Sequence, residues 1–259
     1  MAFSLICYSE SQDTSGALSN VAAITDPHVR VIGDDVVVPD DINYLAAAYA
    51  VGASLTRAVV VSPSIRRRYP HEVTPLDANV NPSSVFVFEP FASPIQLDAA
   101  EALNFQVAEN GAGAVRDTGL VWLSDGPFVP VTGSEVFTIR ATGSTTLVAY
   151  AWGNCALTFN DTLPAGEYAV VGMQAASAGG IAARLVFTGS AWRPGVICST
   201  ASTIVGNSLF RYGKMGIFGT FAHNTPPTVD FLSASADSAE TVYLDLVMIT
   251  GRLSGMGRS

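Results

Sequence analysis

The sequence predicts an all-β protein built from two tandem jelly-roll β-sandwiches with one or two short helices. Short runs rich in β-branched and aromatic residues recur along the chain and are separated by Gly, Pro, Asn, Asp and Ser clusters. A set of landmark residues occurs twice, about half a chain apart. The second half lacks the helices that would connect parallel strands. Strands this short need two stacked sheets to bury their alternating faces.

Twelve runs have the composition and length of strands. In the first half they are residues 29–38, 57–61, 85–88, 103–107 and 120–123. In the second half they are residues 136–140, 146–152, 168–173, 183–187, 215–221, 229–232 and 241–249. Helix is predicted in two places. Asp40 or Asp41 would cap an Ala-rich helix that runs through Ala53, and a short turn would follow Pro63.

The landmarks indicate an internal duplication. Each passage contains a Pro, a Tyr, a stretch rich in Ala, Gly and Val, a lone Arg that opens an apolar strand, and a Ser in the next turn. The pairs are Pro39 with Pro164, Tyr44 with Tyr168, Arg57 with Arg184, and Ser64 with Ser190, at offsets of about 124 to 127 residues. We expect Arg57 and Arg184 to be buried at equivalent places. The predicted domains are residues 1–126 and 135–251, with a linker at 127–134 and a flexible tail at 252–259.

Composition limits the partners. The chain has 259 residues, of which 49% are hydrophobic and only 14% are charged, and its formal net charge is −9. An ordinary soluble domain has roughly 25% charged residues, so this chain is expected to bury much of its surface, partly against copies of itself. The acidic balance argues against sequence-specific nucleic-acid binding, because neutralising phosphates requires clustered cations.

Neither the cysteines nor the apolar segments indicate a special compartment. Cys7, Cys155 and Cys198 are widely spaced and are expected to be buried free thiols. The first residues lack the basic region of a signal peptide, so secretion by that route is not expected. The longest apolar run, residues 42–55, is shorter than the roughly 20 residues of a membrane-spanning helix. Synthesis in a cytoplasm is therefore predicted.

The two Pro-Tyr-Arg passages, above all LPAGEYAVVG at residues 163–172, resemble the double jelly-roll major capsid proteins of tailless icosahedral viruses. The late strands MGIFGTF (215–221) and VYLDLVMI (242–249) contribute to the resemblance. In that family two jelly rolls stand upright in one chain, and three chains form a homotrimer with a hexagonal footprint. Many members enclose a membrane. This chain is shorter than the better-known members and leaves little room for tower-forming loops.

The resemblance implies a structural protein of the virion capsid, synthesised in the host cytoplasm. The implied partners are its own copies, in a self-assembling trimer and in neighbouring trimers of the shell, together with penton or minor capsid proteins. Whether an internal membrane is a partner stays an open question, because the chain has no obvious amphipathic terminal helix. Neither enzymatic activity nor a cofactor is implied.

One basic run is a candidate subunit interface. Arg66, Arg67 and Arg68 are consecutive. An ordinary solvated turn is one reading. Pairing with acidic neighbours across a subunit contact is another, because Arg suits bidentate contacts with carboxylates. Contact with nucleic acid is the third interpretation. It is disfavoured because the run has no interleaved aromatic residues on which bases could stack.

Metal and catalytic sites are not predicted. An acidic cluster could supply the hard oxygens that calcium takes, but its spacing favours turn and cap roles; its members are Asp34, Asp35, Asp40 and Asp41. The three histidines, His28, His71 and His223, are isolated, which disfavours a cupin-type metal site. The chain has no GxSxG motif to nominate a nucleophilic serine.

A binding module is the main alternative function. It would be a trimeric jelly-roll protein of the C1q, TNF or lectin type, acting as a spike or receptor-binding protein. In the lectin form Trp152, Trp192 and Tyr168 would line a sugar platform, whereas the competing interpretation places them in the core or at an interface. A β-sandwich hydrolase or cupin-type enzyme is the third hypothesis.

Overall fold

The computed structural model describes residues 2–66, 71–77, 90–111, 113–199 and 208–251. The chain divides into two compact units, Phe3–Pro127 and Phe128–Ser259, here called the N-terminal and C-terminal units. The predicted strand at 85–88 and the predicted tail at 252–259 lie outside the described residues. The linker at 127–134 stays a prediction.

The described residues of the N-terminal unit form strands and one helical turn. The strands are β1 (Phe3–Gln12), β2 (Ser19–Val21), β3 (Val31–Ile32), β4 (Asp35–Val37), β5 (Tyr44–Gly52), β6 (Leu55–Val61), β7 (His71–Val73), β8 (Pro75–Asp77), β9 (Ile95–Gln96), β10 (Ala102–Glu109) and β11 (Val115–Ser124). Helix α1 (Pro63–Arg66) lies between β6 and β7. One sheet has the order β1-β11-β5, and both β8 and β9 pair with β5. In the other sheet, β2 and β4 pair with β10, followed by β6 and β7, and β3 pairs with β4.

The C-terminal unit repeats this plan. Its strands are β12 (Phe137–Gly143), β13 (Trp152–Cys155), β14 (Thr158–Phe159), β15 (Gly166–Ala176), β16 (Gly180–Val186), β17 (Gly195–Ile197), β18 (Gly219–Ala222), β19 (Thr228–Ser233) and β20 (Glu240–Gly251). A 3-10 turn covers Ser208–Phe210. The sheets have the orders β14-β12-β20-β15-β18 and β13-β19-β16-β17.

Both units have the strand order of a jelly roll. When the eight main strands of the C-terminal unit are numbered along the chain, one sheet pairs them as 1-8-3-6 and the other as 2-7-4-5. The N-terminal unit gives the same two orders, with β2 and β4 sharing the second place and β9 taking the sixth. The prediction of two tandem jelly-roll sandwiches with short helices is confirmed.

The predicted helix from Asp40 to Ala53 is wrong, because this segment forms β5. Strand β5 is hydrogen-bonded to β11 along its length, and Ala46, Ala47 and Ala50 are fully buried. Alanine favours helices in isolation, but packing and pairing in a sandwich outweigh that preference. The predicted turn after Pro63 is confirmed as α1.

The strand predictions need correction in four places. The run predicted as one strand at 29–38 forms a hairpin of β3 and β4 with a turn at Gly33 and Asp34. Strand β1 was not predicted, because its sequence is apolar on both faces and does not alternate; both of its faces are buried. The strand predicted at 146–152 begins only at Trp152. The strand predicted at 215–221 is reduced to Gly219–Ala222, because residues 212–215 form turns and residues 216–218 have no regular structure.

Tyr168 belongs to the core of the C-terminal unit, as one of the two interpretations held. Its side chain is fully buried, and its ring packs 5.7 Å from that of Phe221 and 6.0 Å from that of Phe137, centroid to centroid. The hydroxyl donates a hydrogen bond to the carbonyl of Pro164 at 2.6 Å.

Replacing Tyr168 by alanine is expected to lower the free energy of unfolding by about 2 to 4 kcal/mol, because the ring leaves a cavity. Tyr168→Phe keeps the ring and removes only the hydroxyl, so the expected loss is about 1 kcal/mol. Urea unfolding of the three proteins measures both values. An alanine variant as stable as the phenylalanine variant would show that the ring contributes no packing.

Candidate functional site

Arg66 lies at the end of a helical turn whose start is fixed by a carboxylate. In α1 the backbone N–H of Ser64 donates to Glu101 Oε2 at 2.8 Å, and the Ser64 hydroxyl donates to Oε1 of the same group. Ser62 Oγ accepts from the N–H of Ile65 at 3.2 Å. Arg66 is exposed. Arg67 and Arg68 lie outside the described residues, so the predicted subunit contact stays a prediction.

The two landmark arginines differ in environment, which corrects the expectation that both are buried. Both lie on the fourth main strand of their unit, Arg57 on β6 and Arg184 on β16. Arg57 is exposed and pairs with Glu72 on the neighbouring strand β7. Arg184 is fully buried. A repeated sequence position therefore carries a surface ion pair in one unit and a buried one in the other.

The buried pair around Arg184 crosses three strands. Arg184 Nε donates to Asp230 Oδ2 at 3.1 Å, and Asn154 Nδ2 donates to Asp230 Oδ1 at 2.8 Å. The register places Asn154, Asp230 and Arg184 side by side on β13, β19 and β16. The guanidinium carbon lies 3.9 Å from the ring centroid of Trp152, a cation–π arrangement. These contacts join the strands of the 2-7-4-5 sheet through side chains as well as backbone.

A second buried ion pair holds the segment between β17 and β18 against β20. Arg211 Nε and Nη2 donate to the two carboxylate oxygens of Asp245 at 2.6 and 2.7 Å, a bidentate contact. Arg211 Nη1 donates to Gln174 Oε1 at 2.6 Å, and Thr138 Oγ1 donates to Asp245 at 2.7 Å. The Asp245 carboxylate raises the pKa of Arg211. A β-carbon at Gly172 would lie 2.4 Å from Asp245 Oδ2, so this position has no room for a side chain.

Two carboxyl groups meet inside the N-terminal unit without a cation beside them in the described part of the chain. Glu109 at the end of β10 and Asp117 on β11 are both fully buried, and they come from opposite sheets. Burial and the neighbouring Glu109 carboxyl raise the pKa of Asp117 to about 8, against a smaller opposing effect of the Gln12 side chain. A β-carbon at Gly52 would lie 2.2 Å from Asp117 Oδ1. At neutral pH the pair therefore retains a proton.

The cysteines are buried free thiols, as predicted. Cys155 Sγ lies 3.7 Å from Glu240 Oε2, and Glu240 is itself buried. Burial raises the pKa of Glu240 and of the Cys198 thiol. The Cys198 thiol is thus kept in its protonated, weakly nucleophilic form.

The histidines and the acidic cluster do not converge on one place. His28 and His223 are exposed, and His71 packs against the ring of Phe91, with 4.5 Å between centroids. Burial lowers the pKa of His71. Within the described ranges, three or more His, Cys, Asp or Glu side chains nowhere come together in a way that could hold a metal ion. The acidic cluster occupies the β3–β4 hairpin and the loop before β5; its members are Asp34, Asp35, Asp40 and Asp41.

The predicted sugar platform is not assembled. Trp152 lies on β13 of one sheet and Tyr168 on β15 of the other, where it is buried. Trp192 lies in the loop between β16 and β17. A shallow depression of about 360 Å³ at β18 is lined by other residues, namely Glu167, Thr188, Thr220, Phe221, Ala222, Thr225 and Ile249.

Sequence reasoning missed the Arg211–Asp245 and Glu109–Asp117 pairs. In the first pair the members lie 34 residues apart and a turn brings Arg211 to β20. In the second pair the members lie on strands of opposite sheets. One signal in the sequence could have indicated the first pair. Asp245 interrupts the apolar run VYLDLVMI, which places a charged residue inside a strand expected to be buried. A charged residue at such a position needs a partner.

Comparison with known proteins gives one structural match. Neither a family model nor a curated protein matches the chain. Among solved structures, the crystal structure of the major capsid protein P2 from bacteriophage PM2 matches 96% of this chain and 98% of that chain, with a TM-score of 0.28 and 10% sequence identity. Among the described residues, no helix is long and apolar enough to cross a membrane. Function therefore has to be inferred from the chain's own strand order and side chains.

Proposed function

We propose that this chain is a structural virion protein, a major capsid protein that self-assembles as pseudo-hexameric homotrimers tiling an icosahedral shell. One observation carries the proposal: the two units of a single chain have the same jelly-roll strand order. Three such chains supply six units of one kind. Closed threefold symmetry then produces an approximately sixfold tile from a single gene product.

The sheet edges support contacts made by side chains rather than by added strands. The edge strands β7, β9, β17 and β18 are two to four residues long, whereas the edge strand β1 has ten residues. Short edge strands limit uncontrolled pairing between copies. At these short edges copies would therefore meet through loops and side chains, which allows the contacts to be specific.

The buried ion pairs support a rigid building block. In the C-terminal unit, Arg184–Asp230 ties strands of one sheet and Arg211–Asp245 fixes a surface segment. A subunit whose surface loops are held in place loses less conformational entropy when it joins a lattice. The low charged fraction, 14%, likewise favours surfaces that can be buried between copies. In this proposal the chain has no catalytic role and acts in the virion after synthesis in the host cytoplasm.

Size-exclusion chromatography with light scattering tests the proposal. At micromolar concentration we expect a mass of three times 27.0 kDa, or a larger assembly of such trimers. A protein that remains a stable monomer under these conditions would contradict it. A trimer that never assembles further and binds a defined glycan would instead favour the binding-module alternative.

A further inference from the structure

The net charge of the chain resides in one unit. Of the 22 acidic residues, 15 lie in the N-terminal unit, together with 6 of the 13 Lys and Arg residues. The C-terminal unit contains seven residues of each sign. The formal charge of −9 therefore belongs to the N-terminal unit, and the C-terminal unit is neutral. Contacts between two N-terminal units are repulsive, whereas contacts between an N-terminal and a C-terminal unit avoid this repulsion.

A short segment of the C-terminal unit, residues 212–217, exposes one basic and two large apolar side chains. Tyr212 and Ile217 are 57% and 41% exposed. Lys214, the lone lysine of the sequence, lies between them along the chain and is exposed. We call these three residues the Lys214 surface. Large exposed apolar groups beside a cation are typical of protein contact surfaces.

The Lys214 surface is held in a fixed geometry. The N–H of Tyr212 donates to the buried Asp245 carboxylate at 2.9 Å. Tyr212 has a φ of +55°, a left-handed conformation that costs energy for a residue with a side chain. The guanidinium carbon of Arg211 lies 4.5 Å from the Tyr212 ring centroid and supports the ring. An exposed aromatic ring kept in a costly conformation by a buried ion pair suggests a role at the surface.

The N-terminal unit carries an exposed group of opposite charge. Asp40, Asp41 and Asp98 are exposed and lie on two adjacent segments, because the N–H of Leu97 donates to the carbonyl of Asn43 at 2.8 Å. We call these three aspartates the acidic strip.

We propose that the Lys214 surface of one copy docks on the acidic strip of the N-terminal unit of a neighbouring copy. This inference rests on the proposed function and adds the surfaces by which copies meet. The Lys214 ammonium group faces carboxylates, and the side chains of Tyr212 and Ile217 supply apolar area beside it. The two surfaces differ, so the contact is heterologous, and the proposed trimer requires that three such contacts close into a ring.

Zero-length cross-linking tests the docking directly on the full chain. A carbodiimide joins an amine to a carboxylate without a spacer, and Lys214 supplies the single lysine amine of each copy. In a mixture of isotope-labelled and unlabelled chains, a bond between two copies can join a labelled peptide to an unlabelled one. We expect such mixed cross-linked peptides. Mass spectrometry should place the bond between Lys214 and Asp40, Asp41 or Asp98.

Charge variants test the energetic role of the contact. Lys214→Glu is expected to raise the concentration at which the assembly dissociates by about tenfold, because it places like charges together. Lys214→Arg should assemble like the wild type and lose the cross-link. Arg140→Glu, at another exposed cation of the same unit, is the matched control and should leave assembly unchanged. Melting temperatures of all variants verify that they are folded.

The outcomes separate the two proposals. An assembled wild type whose cross-links join Lys214 to other carboxylates, or whose Lys214→Glu variant assembles normally, would overturn the docking and leave the proposed function standing. A monomeric wild type by light scattering would overturn both.

Discussion

Replacing Asp230 by alanine is expected to lower the free energy of unfolding by about 3 to 5 kcal/mol. The change removes the carboxylate that balances the fully buried Arg184 guanidinium and the acceptor of the Asn154 amide. A charge left inside the protein costs more than the original pair contributes, since it has lost its hydration. Urea unfolding followed by tryptophan fluorescence measures the loss.

Two further variants identify the cause of that loss. Exchanging both partners, Arg184→Met with Asp230→Leu, removes the charge together with its partner and is expected to recover most of the stability. Glu72→Ala breaks the surface pair that Arg57 makes at the matching strand position, and little measurable change is expected because exposed pairs are solvated. Equal losses for Asp230→Ala and Glu72→Ala would show that burial of Arg184 has no energetic consequence.

The stability of the wild-type chain is expected to fall between about pH 4 and pH 8 relative to that of Asp117→Asn. Asp117 has an ordinary pKa of 3.8 when unfolded and a pKa of about 8 in the fold. Within this interval the unfolded chain releases the proton that the folded chain keeps, so rising pH favours unfolding. The slope is at most about 1.4 kcal/mol per pH unit. Below the interval both states are protonated, and above it both are ionised.

Thermal unfolding at a series of pH values tests this expectation. The Asp117→Asn amide keeps the shape of the carboxyl and can donate a hydrogen bond to Glu109, so the melting temperature of the variant should exceed that of the wild type by a margin that grows up to pH 8 and then stays constant. Asp13→Asn, at an exposed carboxylate near the same end of β1, is the control and should follow the wild type. Parallel curves for wild type and Asp117→Asn would contradict the assignment.

The fold could be predicted from sequence because its signals are local. Alternating apolar runs and turn residues located most main strands. The landmark pairs Tyr44 with Tyr168 and Arg57 with Arg184 do fall on the third and fourth strands of their units. The helix prediction failed at β5 for a physical reason. Alanine favours helices in isolation, and pairing of this segment with β11 outweighs that preference.

The side-chain clusters could be predicted less well, because they depend on neighbours that are distant in sequence. Arg57 and Arg184 share a strand position and differ in burial. Strand order alone does not give that difference. Similarly, Asp245 signals that a buried charge needs a partner, but Arg211 lies in a turn whose sequence does not indicate contact with β20.

Electron microscopy of the purified chain tests the central claim most directly, namely that two jelly rolls of one order meet sister copies to form a sixfold tile. We expect averaged images of particles with six lobes of similar size arranged around a threefold axis, or closed shells tiled by such particles. Particles with only the lobes of a single chain, at concentrations where the protein is intact and folded, would contradict it.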